Sequence, residues 1–279
     1  MTRPRFGVPG NRVSSAMALV LALGLSFSET HSADPQPAAE ADTWWSLRPL
    51  SSPVVPSASH WARTPVDAFI ARRHRRLRLT PSAPADHRTL VRRVTIDLTG
   101  LPPTPEQVAA FVGDRSCDAY PRLVERLLQS PRYGERWARH WLDVVHYGDT
   151  HGYDKDKPRP HAWPYRDYVV RALNDDKPFD RFVLEQVAGD VLFPDTVDGI
   201  VATGLLAAGP WDFIGHAEVP ETKFDGQVAR NLDRDDMVRT VINSFISITV
   251  QCARCHDHKF DPVSMEDYYS LLAVFAAID

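Results

Sequence analysis

Helix start signals recur along this sequence, and they restrict the chain to a helical fold more strongly than any other feature. Thr64-Pro65 and Thr104-Pro105 each place a capping hydroxyl before a proline at the first helical position. Asp86 offers a third cap, and the apolar residues after it follow helical spacing until Gly100. Because strand-type alternation is scarce, we predict an all-α protein, an irregular multi-helix domain with long loops.

Apolar residues at helical spacing indicate where the remaining helices lie. The stretch 246–250 is rich in β-branched residues, but it continues the apolar stripe of the preceding residues, and we therefore assign it to a helix. We predict loops over 148–163 and 209–230. Further helices are predicted over residues 118–129, 132–147, 164–173, 178–188, 200–208, 234–249 and 265–277.

The first part of the chain has the features of an export signal. Three arginines precede an apolar run of 12 residues, Ala16 to Phe27, and small residues follow at Ser32 and Ala33. A transmembrane helix needs about 20 apolar residues, so this run fits the core of a signal peptide better. We predict a signal peptide over residues 1–33 and a periplasmic or cell-surface protein, with an uncleaved N-terminal anchor as the alternative.

The predicted mature chain consists of a tail and lead-in over residues 34–63 and a helical domain over 64–279. Removing the signal peptide takes away three Arg and one Glu, which leaves 29 basic and 35 acidic residues and a net charge of −6. Sequence-independent binding of nucleic acid needs a basic surface, so we predict no nucleic-acid partner. No other apolar stretch is long enough for a bilayer, and we expect no membrane span in the mature chain.

Two of the three cysteines lie in one five-residue motif, Cys252-Ala253-Arg254-Cys255-His256. This spacing is the attachment signature of c-type haem. The two thiols can form thioethers with the vinyl groups of one porphyrin, and the adjacent imidazole then lies beneath the iron. The motif, which follows a long predicted helix, therefore predicts a covalent haem c held by Cys252 and Cys255, with His256 as the proximal iron ligand.

Other interpretations of the motif stay open. A redox or structural disulfide would leave His256 unexplained, and a chance match is a further alternative. A mononuclear metal site could use Cys252, Cys255, His256 and His258, although structural zinc normally takes its ligands from two separated pairs. No spacing argument selects a second axial haem ligand from the remaining methionines and histidines, namely Met237, Met265, His140, His146, His151, His161 and His216.

A second group of polar residues lies between positions 140 and 167. Asp143 and His146 are three residues apart on a predicted helix and share a face, and Asp149 and His151 follow in the predicted loop. Carboxylates and imidazoles can bind a divalent metal ion, but this spacing matches no known ligand motif. We keep the four residues as a candidate second metal site beside the simpler interpretation, a polar surface loop.

Four blocks of the sequence resemble the planctomycete-type cytochrome c-like family. They are residues 94–104 (VTIDLTGLPPT), 133–143 (YGERWARHWLD), 163–169 (WPYRDYV) and 252–262 (CARCHDHKFDP). The resemblance covers residues 44–279 and implies an exported protein with a c-type haem but no established reaction. Members of this family continue into a further domain, so the resemblance also implies that the sequence is truncated at its C-terminus.

The motif, the export signal and the resemblance together predict an exported haem protein that transfers electrons or forms part of an oxidoreductase, with a protein as its redox partner. Whether the protein is itself an enzyme stays open. Two other functions also stay open. One is a metal-dependent hydrolase or carbohydrate-processing component centred on residues 140–167, and the other is a non-catalytic surface protein.

Overall fold

The computed structural model describes residues 48–57 and 60–278, and within these ranges it contains eleven α-helices and no β-strand. The predicted all-α class is therefore confirmed. The predicted signal peptide and most of the tail lie outside the described residues. The helices are α1 (Pro65–Leu77), α2 (His87–Thr99), α3 (Pro105–Gly113), α4 (Ala119–Leu128), α5 (Pro131–Val144), α6 (Trp163–Asn174), α7 (Phe179–Leu192), α8 (Val197–Val201), α9 (Phe213–Ala217), α10 (Phe224–Ile246) and α11 (Met265–Val274).

The chain divides into two compact units, Met1–Ala85 and Asp86–Asp279. Among the described residues of the first unit, α1 is the regular element. Thr64 and Asp67 form a reciprocal capping box at its start, because each side chain accepts a hydrogen bond from the other's backbone N–H. The helix ends at Arg78, whose backbone is left-handed with φ 54°.

The start signals predicted in the second unit are also confirmed. The Asp86 carboxylate caps α2 by accepting a hydrogen bond from the Thr89 N–H at 2.9 Å. Thr104 and Gln107 form the capping box of α3. Gly100 ends α2 with φ 72°, a conformation that glycine adopts without steric cost.

Two apolar cores hold the second unit together. The smaller core joins α2, α3 and α4 through Val91, Val94, Phe111, Leu123 and Leu127. The larger core joins α5, α6, α7, α10, α11 and the 3-10 helix Ala202–Ala207. Its buried residues are Ala138, Val145, Tyr165, Tyr168, Val169, Ala172, Phe182, Ala202, Leu205, Ala208, Val238, Val241, Ile242, Val250, Ala253, Tyr268 and Phe275.

A polar side chain also lies inside the larger core. Gln186 is fully buried, and its carbonyl oxygen accepts hydrogen bonds from the Trp141 indole at 3.0 Å and the Tyr165 hydroxyl at 2.7 Å. Its amide group donates to the Phe182 carbonyl at 3.0 Å. Because its oxygen and its nitrogen both have partners, Gln186 is buried without the cost of an unmade hydrogen bond.

The predicted loop over residues 209–230 is wrong, because α9 and the first turns of α10 lie there. The start of α10 has only a weak sequence signal, Asp225 in the first turn, since Lys223 at its N-cap makes no side-chain cap. Phe224 opens the helix with 78% of its surface exposed, so burial does not mark this end either.

The predicted end of the same helix is also wrong. We expected the helix over 234–249 to include the β-branched stretch, but α10 stops at Ile246. Ser247 takes the left-handed conformation with φ 61°, which breaks the helical repeat before residues 248–250.

None of the helices in the described part of the chain combines the length and apolar character needed to cross a membrane.

Candidate functional site

The CxxCH motif lies on a short 3-10 turn, Gln251–Arg254, that follows α10. Val250 and Ala253 are buried in the larger core and anchor this turn. Cys252 and Cys255 lie on either side of Ala253, and both thiols are free and exposed. The turn therefore has a fixed apolar base and presents its two sulfur atoms to solvent.

His256 is exposed, and one contact defines the state of its ring. Its Nδ1 atom lies 2.8 Å from the backbone carbonyl oxygen of Asp257. A carbonyl oxygen only accepts hydrogen bonds, so Nδ1 carries the proton, and the lone pair of a neutral ring is on Nε2. Histidines that bind a metal through Nε2 use this arrangement, because a second-shell acceptor fixes the tautomer and the ring orientation.

The loop after the motif is held by the neighbouring acidic residue and the second histidine. The Asp257 carboxylate accepts a hydrogen bond from the Met265 N–H at 2.8 Å, at the start of α11. The Nδ1 atom of His258 accepts from the Asp261 N–H at 2.8 Å, and the His258 side chain is largely buried. Because Nδ1 of His258 accepts, a neutral ring carries its hydrogen on Nε2 and has no lone pair left for a metal, unlike His256. This weakens its candidacy as the fourth ligand of a metal site with Cys252, Cys255 and His256.

Arg254, in the centre of the motif, connects the turn to the long helix. Its guanidinium lies 3.5 Å from the Asp235 carboxylate on α10, and the Tyr268 hydroxyl of α11 donates to the other oxygen of that carboxylate. The Tyr269 hydroxyl donates to the Arg254 carbonyl at 3.1 Å. Burial, followed by the contact with Asp235, raises the pKa of Tyr268, so this hydroxyl remains protonated and donates. The motif turn is thus tied to two helices.

The four residues of the candidate second metal site have separate surroundings. Asp143 is exposed on α5, and His146, with φ 57°, has both ring nitrogens within 3.3 Å of the Arg239 guanidinium. Asp149 accepts a hydrogen bond from the Tyr147 hydroxyl at 2.8 Å. His151 packs against the rings of Trp211 and Phe213.

Across residues 48–57 and 60–278, no group of three or more His, Cys, Asp or Glu side chains is placed to hold a metal ion. The candidate second metal site over Asp143, His146, Asp149 and His151 therefore stays a prediction to which the structure lends no support.

Among the cavities of the second unit's described residues, two bring polar side chains together. The larger, of about 600 Å³, is bordered by His151, His161, Tyr165 and the 3-10 helix Ala202–Ala207. The smaller, of about 480 Å³, brings His216 of α9 together with Asp233 and Asp236 of α10. No pattern in the sequence connects these three residues, because the contact joins two helices that begin within a segment predicted to be a loop.

The fold and the motif define the class of this protein. It is an all-α protein in which a CxxCH turn presents two free thiols and an exposed imidazole at the surface. The family model that matches is PSCyt2, described as a protein of unknown function (DUF1549), over residues 65–279. The chain belongs to this family, which agrees with the resemblance to a planctomycete-type family, and the cytochrome c-like part of that resemblance stays a prediction. No curated protein and no solved structure matches the chain.

Proposed function

We propose that this protein is an exported c-type haem protein that transfers electrons, either to a partner protein or within an oxidoreductase complex. Cys252 and Cys255 would hold the porphyrin through two thioether bonds, and His256 would bind the iron as the proximal ligand. The observation that carries the proposal is the contact between His256 Nδ1 and the Asp257 carbonyl, because it leaves Nε2 available for iron.

The residues around the motif fit such a group. Both thiols are free and exposed, as thioether formation requires. Phe260, four residues after His256, is 66% exposed, and Tyr269, which contacts the Arg254 carbonyl, is also exposed. Exposed aromatic side chains beside a reactive site mark a surface that a ligand can cover. When bound, a haem would supply one-electron redox chemistry at this surface.

The protein's own residues would have distinct roles in this site. Ala253, fully buried, fixes the turn so that the two sulfur atoms stay on the solvent side. Asp257 would orient the imidazole through its carbonyl and stabilise the start of α11 through its carboxylate. Because the motif is at the surface, a redox partner could approach it directly, and the predicted export would bring the chain to the compartment where haem attachment takes place.

Haem attachment can be tested by producing the protein with the haem-attachment machinery and isolating it from the periplasm. We expect the intact mass to include one haem, and haem staining to persist after denaturation because thioether bonds survive unfolding. Cys255→Ser should abolish the two-thioether product. Cys117→Ser is the matched control, since Cys117 is also a free, exposed cysteine, and it should retain the haem. A colourless wild-type protein in which both motif thiols react with an alkylating reagent would refute the proposal.

The two other functions suggested by the sequence gain no argument from the structure. A hydrolase centred on residues 140–167 would need its His and Asp side chains to converge, and those side chains contact separate partners instead. A non-catalytic surface protein corresponds to the colourless outcome of the experiment above.

A further inference from the structure

The cavity of about 480 Å³ between α9, α10 and the segment 206–211 is separate from the CxxCH motif, and none of Cys252, Cys255 and His256 lines it. Its volume falls in the range of small-molecule sites, roughly 300–1,000 Å³. Its wall combines carboxyl groups, guanidinium groups, one imidazole and one indole. The chemistry of that wall determines which ligand the cavity can accept.

His216 and Asp233 form a close polar pair on the cavity wall. The His216 Nδ1 atom lies 2.8 Å from the Asp212 carbonyl oxygen, so Nδ1 carries a hydrogen. The Nε2 atom lies 2.7 Å from the Asp233 carboxylate, at ion-pair distance, although its N–H direction is poorly aligned for a hydrogen bond. The pair places an imidazole nitrogen and a carboxylate oxygen side by side on the wall of the cavity.

Asp236 lies one turn further along α10 and faces the same cavity. The backbone of Gly209 approaches its carboxyl group so closely that a Cβ atom at Gly209 would overlap the oxygen. Burial raises the pKa values of both Asp233 and Asp236, although His216 opposes the change at Asp233 and Arg239 opposes it at Asp236. The two carboxyl groups thus take up a proton more readily than a pair at the surface would.

Cationic groups on the same wall balance these acids, and Arg230, one turn before Asp233 on α10, opposes the raised pKa of that carboxyl. Arg230 lines the cavity and pairs through its Nε with Glu221 at 2.5 Å. Arg159 also lines the cavity, and its guanidinium donates to the carbonyls of Ala208 and Gly209 at 3.1 and 3.0 Å. An anionic ligand would therefore meet half-buried carboxyl groups, and a cationic ligand would meet guanidinium groups.

A ligand rich in hydroxyl groups avoids both conflicts, since each hydroxyl can donate to a carboxyl oxygen and accept from a guanidinium. The indole of Trp211 lines the same cavity and offers an apolar surface to the C–H groups of such a ligand. From this combination we infer that the cavity binds a neutral polyhydroxylated small molecule of the sugar type, with Asp233, Asp236 and Arg230 as polar contacts and Trp211 as the apolar contact. The inference does not depend on haem.

Titration calorimetry on the full exported chain can test this inference with glucose, galactose, maltose and cellobiose as neutral probes. Glucuronate and glucosamine serve as anionic and cationic counterparts. We expect at least one neutral sugar to bind with a stoichiometry near one and to bind more tightly than both charged counterparts. Asp236→Asn should weaken that binding by about tenfold or more, because a half-buried hydrogen-bond acceptor is replaced on one oxygen by a donor.

Asp195→Asn is the matched control, because Asp195 is exposed and does not line the cavity, and it should bind like the wild-type chain. Trp211→Leu provides a second variant if Asp236→Asn does not fold, and it should also weaken binding. The inference is overturned if none of the four neutral sugars binds, if a charged counterpart binds more tightly, or if a folded cavity variant binds like the control. None of these results bears on haem attachment, so the two proposals fail separately.

Discussion

The polar groups around Glu185 and those of the CxxCH motif are arranged in opposite ways. The Glu185 side chain is only 3% exposed, and its carboxylate contacts the Lys177 ammonium at 2.5 Å, the Arg181 guanidinium at 2.7 Å and the Tyr168 hydroxyl at 2.9 Å. In the motif, both thiols and the His256 ring are exposed, and His256 Nε2 is left available. Groups whose bonding capacity is satisfied internally hold the fold together, whereas groups left open at a fixed surface are the ones that can bind a ligand.

The largest effect should come from breaking the buried network. Glu185→Gln removes the nearer of two carboxylates that compensate Lys177, whose side chain is only 15% exposed, and leaves Asp198 at 3.0 Å as the other. Removing one partner of a buried ion pair costs about 3–5 kcal/mol, because the other charge stays buried. We expect a decrease of this size in the free energy of unfolding, measured by urea denaturation.

The control for this variant is Glu135→Gln, which breaks an exposed ion pair with Arg132 in which Glu135 is 51% exposed. Exposed pairs contribute about 1 kcal/mol or less, so this variant should unfold almost like the wild type. Equal effects of the two variants would contradict the structural role given to the buried network.

The pH dependence of stability should separate the network from the cavity. Burial raises the pKa of Glu185, but the hydrogen bonds from Lys177, Arg181 and Tyr168 outweigh it, and the net pKa lies below 4.5. Its contribution is therefore present above pH 4.5 and is lost as the pH falls through the lowered pKa. For Asp233 the pKa is raised above 3.8, so its contribution has the opposite sign and is lost as the pH rises through the raised pKa.

Urea denaturation between about pH 3 and 6 measures this difference. Glu185→Gln should flatten the acid loss of stability seen in the wild type, and Asp233→Asn should leave that loss in place. We expect the wild type to lose less free energy of unfolding on acidification than Glu185→Gln loses at neutral pH, because a protonated carboxyl group can still accept hydrogen bonds. An unchanged acid profile in Glu185→Gln would show that other carboxylates control it.

A smaller decrease in stability should follow when a side-chain atom is added where α7 and α8 approach closely. A Cβ atom at Gly189 would overlap the Gly199 carbonyl oxygen, which is backbone and cannot move aside cheaply. Gly189→Ala should therefore destabilise the protein by about 1–3 kcal/mol, the usual cost of overpacking. Gly113→Ala is the matched control, since no atom lies within 4 Å of its Cβ position, and thermal unfolding should show no comparable loss.

What the sequence predicted depends on how local each signal is. The caps at Thr64, Asp86 and Thr104 were predictable because each cap and its partner lie within three residues. The cap at Asp212 is equally local, since it accepts from the Gly215 N–H, but α9 is only five residues long and has no apolar repeat to accompany it. Short helices of this kind are therefore difficult to predict from periodicity.

The contacts around the candidate sites were also predictable only where the residues involved are close in sequence. The CxxCH motif was found because all its residues are adjacent, and its position after a long helix is confirmed. The contact of His216 with Asp233 and the contact of Arg254 with Asp235 join residues of different elements, so only tertiary packing brings them together. The state of the His256 ring depends on a carbonyl, and every residue type supplies one, so no side-chain pattern could reveal it.

The smallest effect on stability should come from the motif itself. Cys252 is exposed, so Cys252→Ser should change the free energy of unfolding of the haem-free protein by no more than about 0.5 kcal/mol. Ala253 is adjacent but fully buried, and Ala253→Val should cost about 1–3 kcal/mol through overpacking. Urea denaturation of both variants measures this contrast. If Cys252→Ser proved as destabilising as Ala253→Val, the thiol would be part of the packed structure, and its availability for thioether formation would be in question. A silent Cys252→Ser that also loses haem would instead assign that cysteine to ligand binding alone.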